Sequence, residues 1–267
     1  MTSPSATLTA WAGAWLHGLS APDDVVDAMQ EWAPMHLVCA ENAVTAGRTG
    51  LPWPDPQDSG AATLLGTLRR EATVESELRL VLPEPGDVRG LPADTAFAKG
   101  AISSGQGVLI GRPGHAGTGL VPTVEGPDVL RWTAYTIDET PIDADQIPLG
   151  EAEYLMREAT REAASAISGL HTVGADTATH PREVIAEALA HTGRHRYPDS
   201  TPARVLRVLD SADRVDAILS AAVRLSPADP LTAASGTLAE LLRPLGRSVR
   251  LARAAAINST TRAARTS

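Results

Sequence analysis

Apolar residues recur at threes and fours along the first part of the chain, alternate or cluster in the middle, and return to threes and fours toward the end. Residues 7–76 therefore read as helical. In TAWAGAWLHGL, Trp11, Trp15, Leu16 and Leu19 fall on one helical face. SAPDDVVDAMQEW opens a second helix. Ser20 supplies the cap, Pro22 fits a first turn that has no N–H bond to lose, and Asp23 and Asp24 complement the positive helix end. MHLVCAENAVTA fits a helix or a short buried strand, and the helix is favoured. Pro52, Pro54 and Pro56 forbid regular structure across residues 49–60. DSGAATLLGTLRREA adds a short helix for which Asp58 or Ser59 is the cap.

From residue 77 to residue 138 the pattern changes. ELRLVLP puts Leu78, Leu80 and Leu82 on one side of a half-buried strand. GVLIG, GLVPTV and VLRWTAYTI are further aliphatic or β-branched runs bounded by Gly, Pro and Asp. In the last of them, Val129, Arg131, Thr133 and Tyr135 share a face. No ten-residue helical pattern separates these runs, so they are expected to pair antiparallel.

From residue 148 onward the helical period returns. Ala152, Leu155, Met156, Ala159, Ala163, Ile167 and Leu170 form one stripe, and Val205, Val208, Leu209, Ala212, Val215, Leu219 and Ala222 form another. HPREV, TPARV and SPADP each set a proline where a helix begins. The expected fold is α+β: a central antiparallel β-sheet flanked by N-terminal helices and a C-terminal bundle-like helical region. The N-terminal helices and sheet take residues 1–147, the helical region packs on them over 148–256, and 257–267 form a flexible tail.

Composition narrows this picture. Only 3% of residues are aromatic, so the core is built mainly from Leu, Val, Ile and Ala. Lys99 is the only lysine among many arginines, as GC-rich coding produces. No basic residue precedes Arg48, and no run reaches the ~18 apolar residues of a membrane span. A single cysteine, Cys39, has no partner for an internal disulfide and is expected to be buried; a cytoplasmic protein follows. The net charge of −9 is uneven. Residues 241–267 carry six arginines and no acid, which leaves −15 on the first 240 residues. An acidic body repels phosphate, so nucleic acid is an expected partner only through the C-terminal segment.

The chemistry on offer is sparse. GRPGHAGTGLVPTV, residues 111–124, resembles a phosphate loop in its glycines, but strand-like runs lie on both sides and no lysine follows. It reads as a hairpin with Pro113 and Gly114 in a type II turn. Arg112 and His115 at its tip are candidate ligands for an anion, joined by Asp143 and Asp145, whose D-x-D spacing suits Mg²⁺ held with a phosphate and otherwise suits a solvated linker. His191 and His195 have a zinc-binding spacing, but Gly193 between them reads as the left-handed residue that ends the helix, and no metal is expected. The nucleophile elbow is missing, and no cofactor is expected.

Two features suit protein partners. Trp11, Trp15, Trp32 and Trp53 crowd the first fifth of the chain, as core or as interface anchors. In LAELLRPLGRSVRLARAAAIN, Arg243, Arg247, Arg250 and Arg253 lie largely off an apolar stripe, and Pro244 kinks or restarts that helix. The expected function is a non-catalytic interaction or self-associating module, with partner residues Trp11, Trp15, Arg243, Arg247, Arg250 and Arg253. An enzyme or small-molecule binder with its site between sheet and helices is the alternative, and nucleic-acid contact through the C-terminal arginines is a second.

Overall fold

The computed structural model describes residues 3–56, 60–73, 75–142, 147–169, 181–225 and 233–266. The chain divides into two compact units. A sheet unit comprises Ser3–Gln146, Arg196–Pro202 and Ile257–Ser267, and a helical unit is formed mainly by Ile147–His195 and Ala203–Ala256.

In the sheet unit the elements run α1 (Pro4–Leu16), α2 (Pro22–Gln30), β1 (Met35–Ala40), α3 (Ala43–Thr49), α4 (Gly60–Glu71), β2 (Glu77–Val81), α5 (Ala96–Ser104), β3 (Gly107–Gly111), β4 (Gly117–Gly126) and β5 (Val129–Ile137). The fold is α+β. The five strands lie in the order β1-β5-β4-β3-β2. β2 to β5 pair antiparallel as their patterns indicate, while β1 joins β5 in parallel, so the sheet is mixed.

β1 corrects the expectation of a helix over MHLVCA. A short apolar run does not distinguish the two states by period, and the partner that decides it, β5, lies some ninety residues away. α5 is also missed by the sequence pattern. Its nine residues fall below the length at which a helical period becomes clear, although Thr95 caps it on the Ala98 N–H and left-handed Gly105 ends it. The second helix starts one residue later than expected. Its cap position is Ala21 rather than Ser20, and the Asp24 carboxylate accepts the Ala21 N–H at 2.8 Å. The proposed Asp58 or Ser59 cap lies outside the described residues.

One sheet face presents Val38, Leu78, Val108, Leu120, Leu130 and Trp132 to a core shared with α1, α2 and α4. α1 is buried nearly throughout. It sinks through its small residues, Ala6, Thr7, Thr9, Ala12 and Gly13 among them, rather than through a tryptophan stripe. Trp11, Trp15 and Leu16 pack half-buried against the core, and Leu19 is exposed.

The other face packs on α5 around Phe97, which is completely buried with Leu109, Val121 and Ile137. The glycine-rich stretch now has its explanation. Arg112 to His115 is a reverse turn in which the His115 N–H donates to the Arg112 carbonyl at 3.0 Å, and Gly114 at φ +75° takes the position only glycine enters freely. Gly119, inside β4, serves packing instead: a Cβ there would lie 2.1 Å from the Phe97 ring.

The helical unit contains α6 (Leu149–Gly169), α7 (Pro181–Thr192), α8 (Ala203–Leu225) and most of α9 (Ala233–Thr266). Pro181 opens α7 and Pro202 immediately precedes α8, as expected; the third proline start lies outside the described residues. α9 runs through Pro244 without breaking in two. It also overturns the flexible tail: residues 257–266 are helical, and Ile257, Asn258 and Thr261 are buried in the sheet unit. Three polar bonds to β2, which a sequence pattern cannot display, hold them there.

Gly119→Ala is expected to cost about 2 kcal/mol, because the Phe97 ring has nowhere to retreat. Urea denaturation of the two proteins measures this, and an unchanged midpoint would show that the ring can move.

Candidate functional site

The residues proposed for an anion are only partly brought together. Arg112 and His115 share the exposed β3–β4 turn, and Asp143 and Asp145 lie outside the described residues. The Arg112 guanidinium already bonds the Glu75 carboxylate at 2.6 Å, with both side chains more than half exposed. His115 sets its Nδ1 3.1 Å from the Pro113 carbonyl. Thr140 fixes this turn from three directions. Its N–H donates to the His115 carbonyl at 2.8 Å, its carbonyl accepts the Gly114 N–H at 2.9 Å, and its hydroxyl donates to the Arg112 carbonyl. The turn is held as a scaffold, and its cation faces a carboxylate rather than an empty cradle.

α7 ends at Thr192, so the histidine spacing that suits zinc is not carried on one helix, and buried His195 follows the helix. Gly193 does not adopt the left-handed conformation expected of it; its N–H continues the helical pattern to the Leu189 carbonyl at 2.9 Å. Among the described residues, no three His, Cys, Asp or Glu side chains gather as a metal site requires.

The tryptophans divide by environment. Trp11 donates its indole N–H to the Arg196 carbonyl at 2.9 Å, and Trp32 donates to the Thr7 hydroxyl at 3.0 Å. Trp53 is 49% exposed and Trp132 is wholly buried. Trp132 belongs to a polar chain that the sequence does not reveal. Its indole N–H donates to His36 Nδ1 at 3.1 Å, and His36 Nε2 faces the Met29 carbonyl at 3.0 Å. An indole nitrogen only donates, so Nδ1 accepts, the proton sits on Nε2, and the ring is neutral. Burial holds this imidazole below its ordinary pKa, against the raising effect of its bonds to the Met29 and Ala33 carbonyls.

On the α5 side of the sheet, Cys39 on β1 lies opposite Thr133 on β5, with Tyr135 two residues along. Burial pushes the Cys39 thiol up despite its bond with Thr133 and nearby Arg131. It also raises the Tyr135 phenol, with Glu41 and Cys39 adding to the shift. Both groups are therefore held in their protonated forms, which disfavours nucleophilic chemistry at this place.

The arginine segment of α9 is split. Leu242, Leu245, Val249, Ala252 and Ile257 are buried, as the apolar stripe they form indicates. Arg243 and Arg247 are exposed one turn apart, and Arg250 is half-buried, its pKa lowered by that burial. Arg253 departs from the expected solvent-facing position. It is only 2% exposed, bonded to Asp213 at 2.6 Å and 3.5 Å from Asp216, both on α8. The aspartates stand three apart on α8, so one helix offers both to the same guanidinium. A stripe drawn on α9 alone places Arg253 at its margin, and only the packing of α8 turns it inward.

The surface arginine candidates are thus Arg243 and Arg247. Comparable exposed groups lie on α6, where Tyr154 is 56% exposed with Arg157 and Arg161 on the same outward face. Each of these arginines pairs with a glutamate of its own helix, Arg157 with Glu153 and Arg161 with Glu158. Among the described residues, no helix is long and apolar enough to cross a membrane.

Comparison with known proteins places two family models on this chain: "Rv1486c-like protein, N-terminal domain" over residues 5–146 and "Rv1486c-like protein, C-terminal domain" over residues 150–254. The chain is 40% identical to the uncharacterized protein Rv1486c of Mycobacterium tuberculosis, with 97% of each chain covered. It is 39% identical to the uncharacterized protein ML1804 of Mycobacterium leprae, again over 97% of each, and 36% identical to the uncharacterized protein MAV321 of Mycobacterium avium, over 92% of this chain and 87% of the relative. No solved structure matches.

His36 makes stability pH-dependent. Its pKa is lower folded than unfolded, so the unfolded chain takes up a proton first. The stability of the neutral ring is complete above the unfolded value of roughly 6.5 and falls as the pH drops from there through the folded value. The acid-side loss of unfolding free energy is expected to be smaller in His36→Gln than in the parent; identical slopes would remove the assignment. Replacing Arg253 with alanine takes the bonded cation away from partly buried Asp213 and is expected to destabilise the helical unit by about 3 kcal/mol, read by thermal or urea unfolding.

Proposed function

The chain belongs to the Rv1486c-like protein family, and we propose that it is a non-catalytic cytoplasmic module that binds a protein partner or a second copy of itself through the exposed arginines of α9. The observation that carries this reading is the pair Arg243 and Arg247, exposed one turn apart on a helix whose opposite face is buried. Arginine is enriched at protein interfaces because its guanidinium makes several directed bonds and covers apolar surface as well. Large apolar side chains also stand exposed in the helical unit, Tyr154 on α6 and Ile218 on α8 among them.

Charge indicates the kind of partner. The helical unit carries twelve arginines and twelve carboxylates, so the net −9 of the chain falls entirely on the sheet unit. An acidic protein surface, whether the sheet unit of another copy or a different protein, complements Arg243 and Arg247. The same acidity opposes a nucleic-acid partner, and the burial of Arg253 removes one cation from the segment proposed to contact it. A small-molecule site at Arg112 and His115 has weaker support, because both side chains stand exposed on a reverse turn, where a small ligand would gain little burial.

Light scattering of the full chain, with mass analysis of what it retains after gentle purification, tests this. The expected result is a dimer or a stoichiometric protein partner that salt weakens, with affinity reduced at least about tenfold by combined Arg243→Glu and Arg247→Glu. A strict monomer that retains only a small molecule would refute the reading.

A further inference from the structure

The outer edge of β2 is closed in an unusual way. β2 ends the sheet, so alternate residues turn their N–H and C=O groups away from β3. Leu80 is one such residue, and both of its groups are taken by a single side chain. Asn258 on α9 accepts the Leu80 N–H on Oδ1 at 2.8 Å and donates Nδ2 to the Leu80 carbonyl at 3.0 Å. The amide thus takes the place of one residue of a neighbouring strand. Leu78 also turns outward, and its carbonyl lies 3.1 Å from the Thr261 hydroxyl. That hydroxyl has one proton and a second acceptor, the Asn258 carbonyl at 3.0 Å, so it holds Leu78 less firmly than Asn258 holds Leu80.

Beneath this cover the strand has few protections of its own. ELRLV contains no proline, and its pairing with β3 runs Glu77 to Val81 without a register shift. Leu78, Leu80 and Val81 are buried, and the strand's own protection is the buried charge of Arg79, which donates to the Pro141 carbonyl at 3.0 Å and lies 3.7 Å from Glu77. An uncovered edge of this kind is a template for another strand. The cover comes from the far end of the chain, 178 residues away from Leu80.

We infer that Asn258 acts as an edge guard, and that without it β2 pairs antiparallel with β2 of a second copy of this chain. Charge selects the register. Centred on Leu78, the two strands set Glu77 opposite Arg79 of the other copy twice; centred on Arg79, they set two arginines against each other, and centred on Leu80 they set each Arg79 against Val81 with no opposite charge. The Leu78-centred register is therefore the one formed. The guard acts at the β2 edge of the sheet unit and is independent of the arginine surface on the helical unit.

The test is the solution mass of full-length variants across a concentration series, with amide hydrogen exchange at Leu80. Asn258→Ala is expected to self-associate at least about tenfold more tightly than the parent, with Leu80 exchange fast in dilute samples and slow in concentrated ones. Adding Glu77→Arg, which opposes like charges in the proposed register, is expected to reverse that gain. Arg243→Glu leaves it in place, which separates the result from the arginine surface. Should Asn258→Ala fail to fold, Asn258→Asp decides: it keeps an acceptor for the Leu80 N–H, loses the donor and sets a carboxylate against the Leu80 carbonyl. A folded variant no more associated than the parent, or association that Glu77→Arg does not affect, overturns the inference.

Discussion

A tryptophan buried without any exposed surface brings one N–H that needs an acceptor, and the central sheet is built around the answer. Trp132 on β5 finds it in His36 on β1, and His36 passes the obligation on to the Met29 carbonyl at the end of α2. The chain of bonds is satisfied only when β1 lies parallel to β5 in the observed register, with His36 opposite Leu130 and Val38 opposite Trp132. A slip of one residue would turn His36 to the other face and leave the indole unpaired. The order of the sheet, the neutrality of the histidine and the seat of α2 are thus one constraint, and the core of α1, α2 and α4 closes over it.

The two ends of the chain meet in this same unit. α1 is buried through small residues, and Gly13 lets it approach α9 so closely that a Cβ would lie 2.7 Å from the Thr261 methyl. Thr261 in turn reaches Leu78, and Asn258 reaches Leu80. The helical unit has its own polar centre in Arg253, held by Asp213 and Asp216. In both units a polar side chain on α9 takes up groups that hydrophobic packing alone would leave unmatched.

Much of the local structure was legible in the sequence. The hairpin of Gly111 to Val124 follows from apolar runs on both sides of Pro113 and Gly114, and the prolines at 181 and 202 mark the starts of α7 and α8. These signals lie within a few residues of what they specify. The β1 sequence by itself suits a helix because the strand's partner is distant, and residues 257–267 by themselves suit a tail because polar residues near a terminus usually face water. The α9 stripe identified its buried leucines, yet Arg253 is turned inward by α8, a neighbour invisible from α9 itself.

By itself, the amino-acid order determined that helices bracket a β layer, that the chain is acidic apart from its arginine-rich end, and that the glycine stretch is a turn rather than a phosphate cradle. Those properties depend on period, charge and turn chemistry, which act over a few residues. Tertiary structure alone decided the parallel edge, the buried histidine, the inward arginine and the guarded strand. Each requires two groups far apart in sequence to meet at hydrogen-bonding distance, and the packing of whole elements sets that distance.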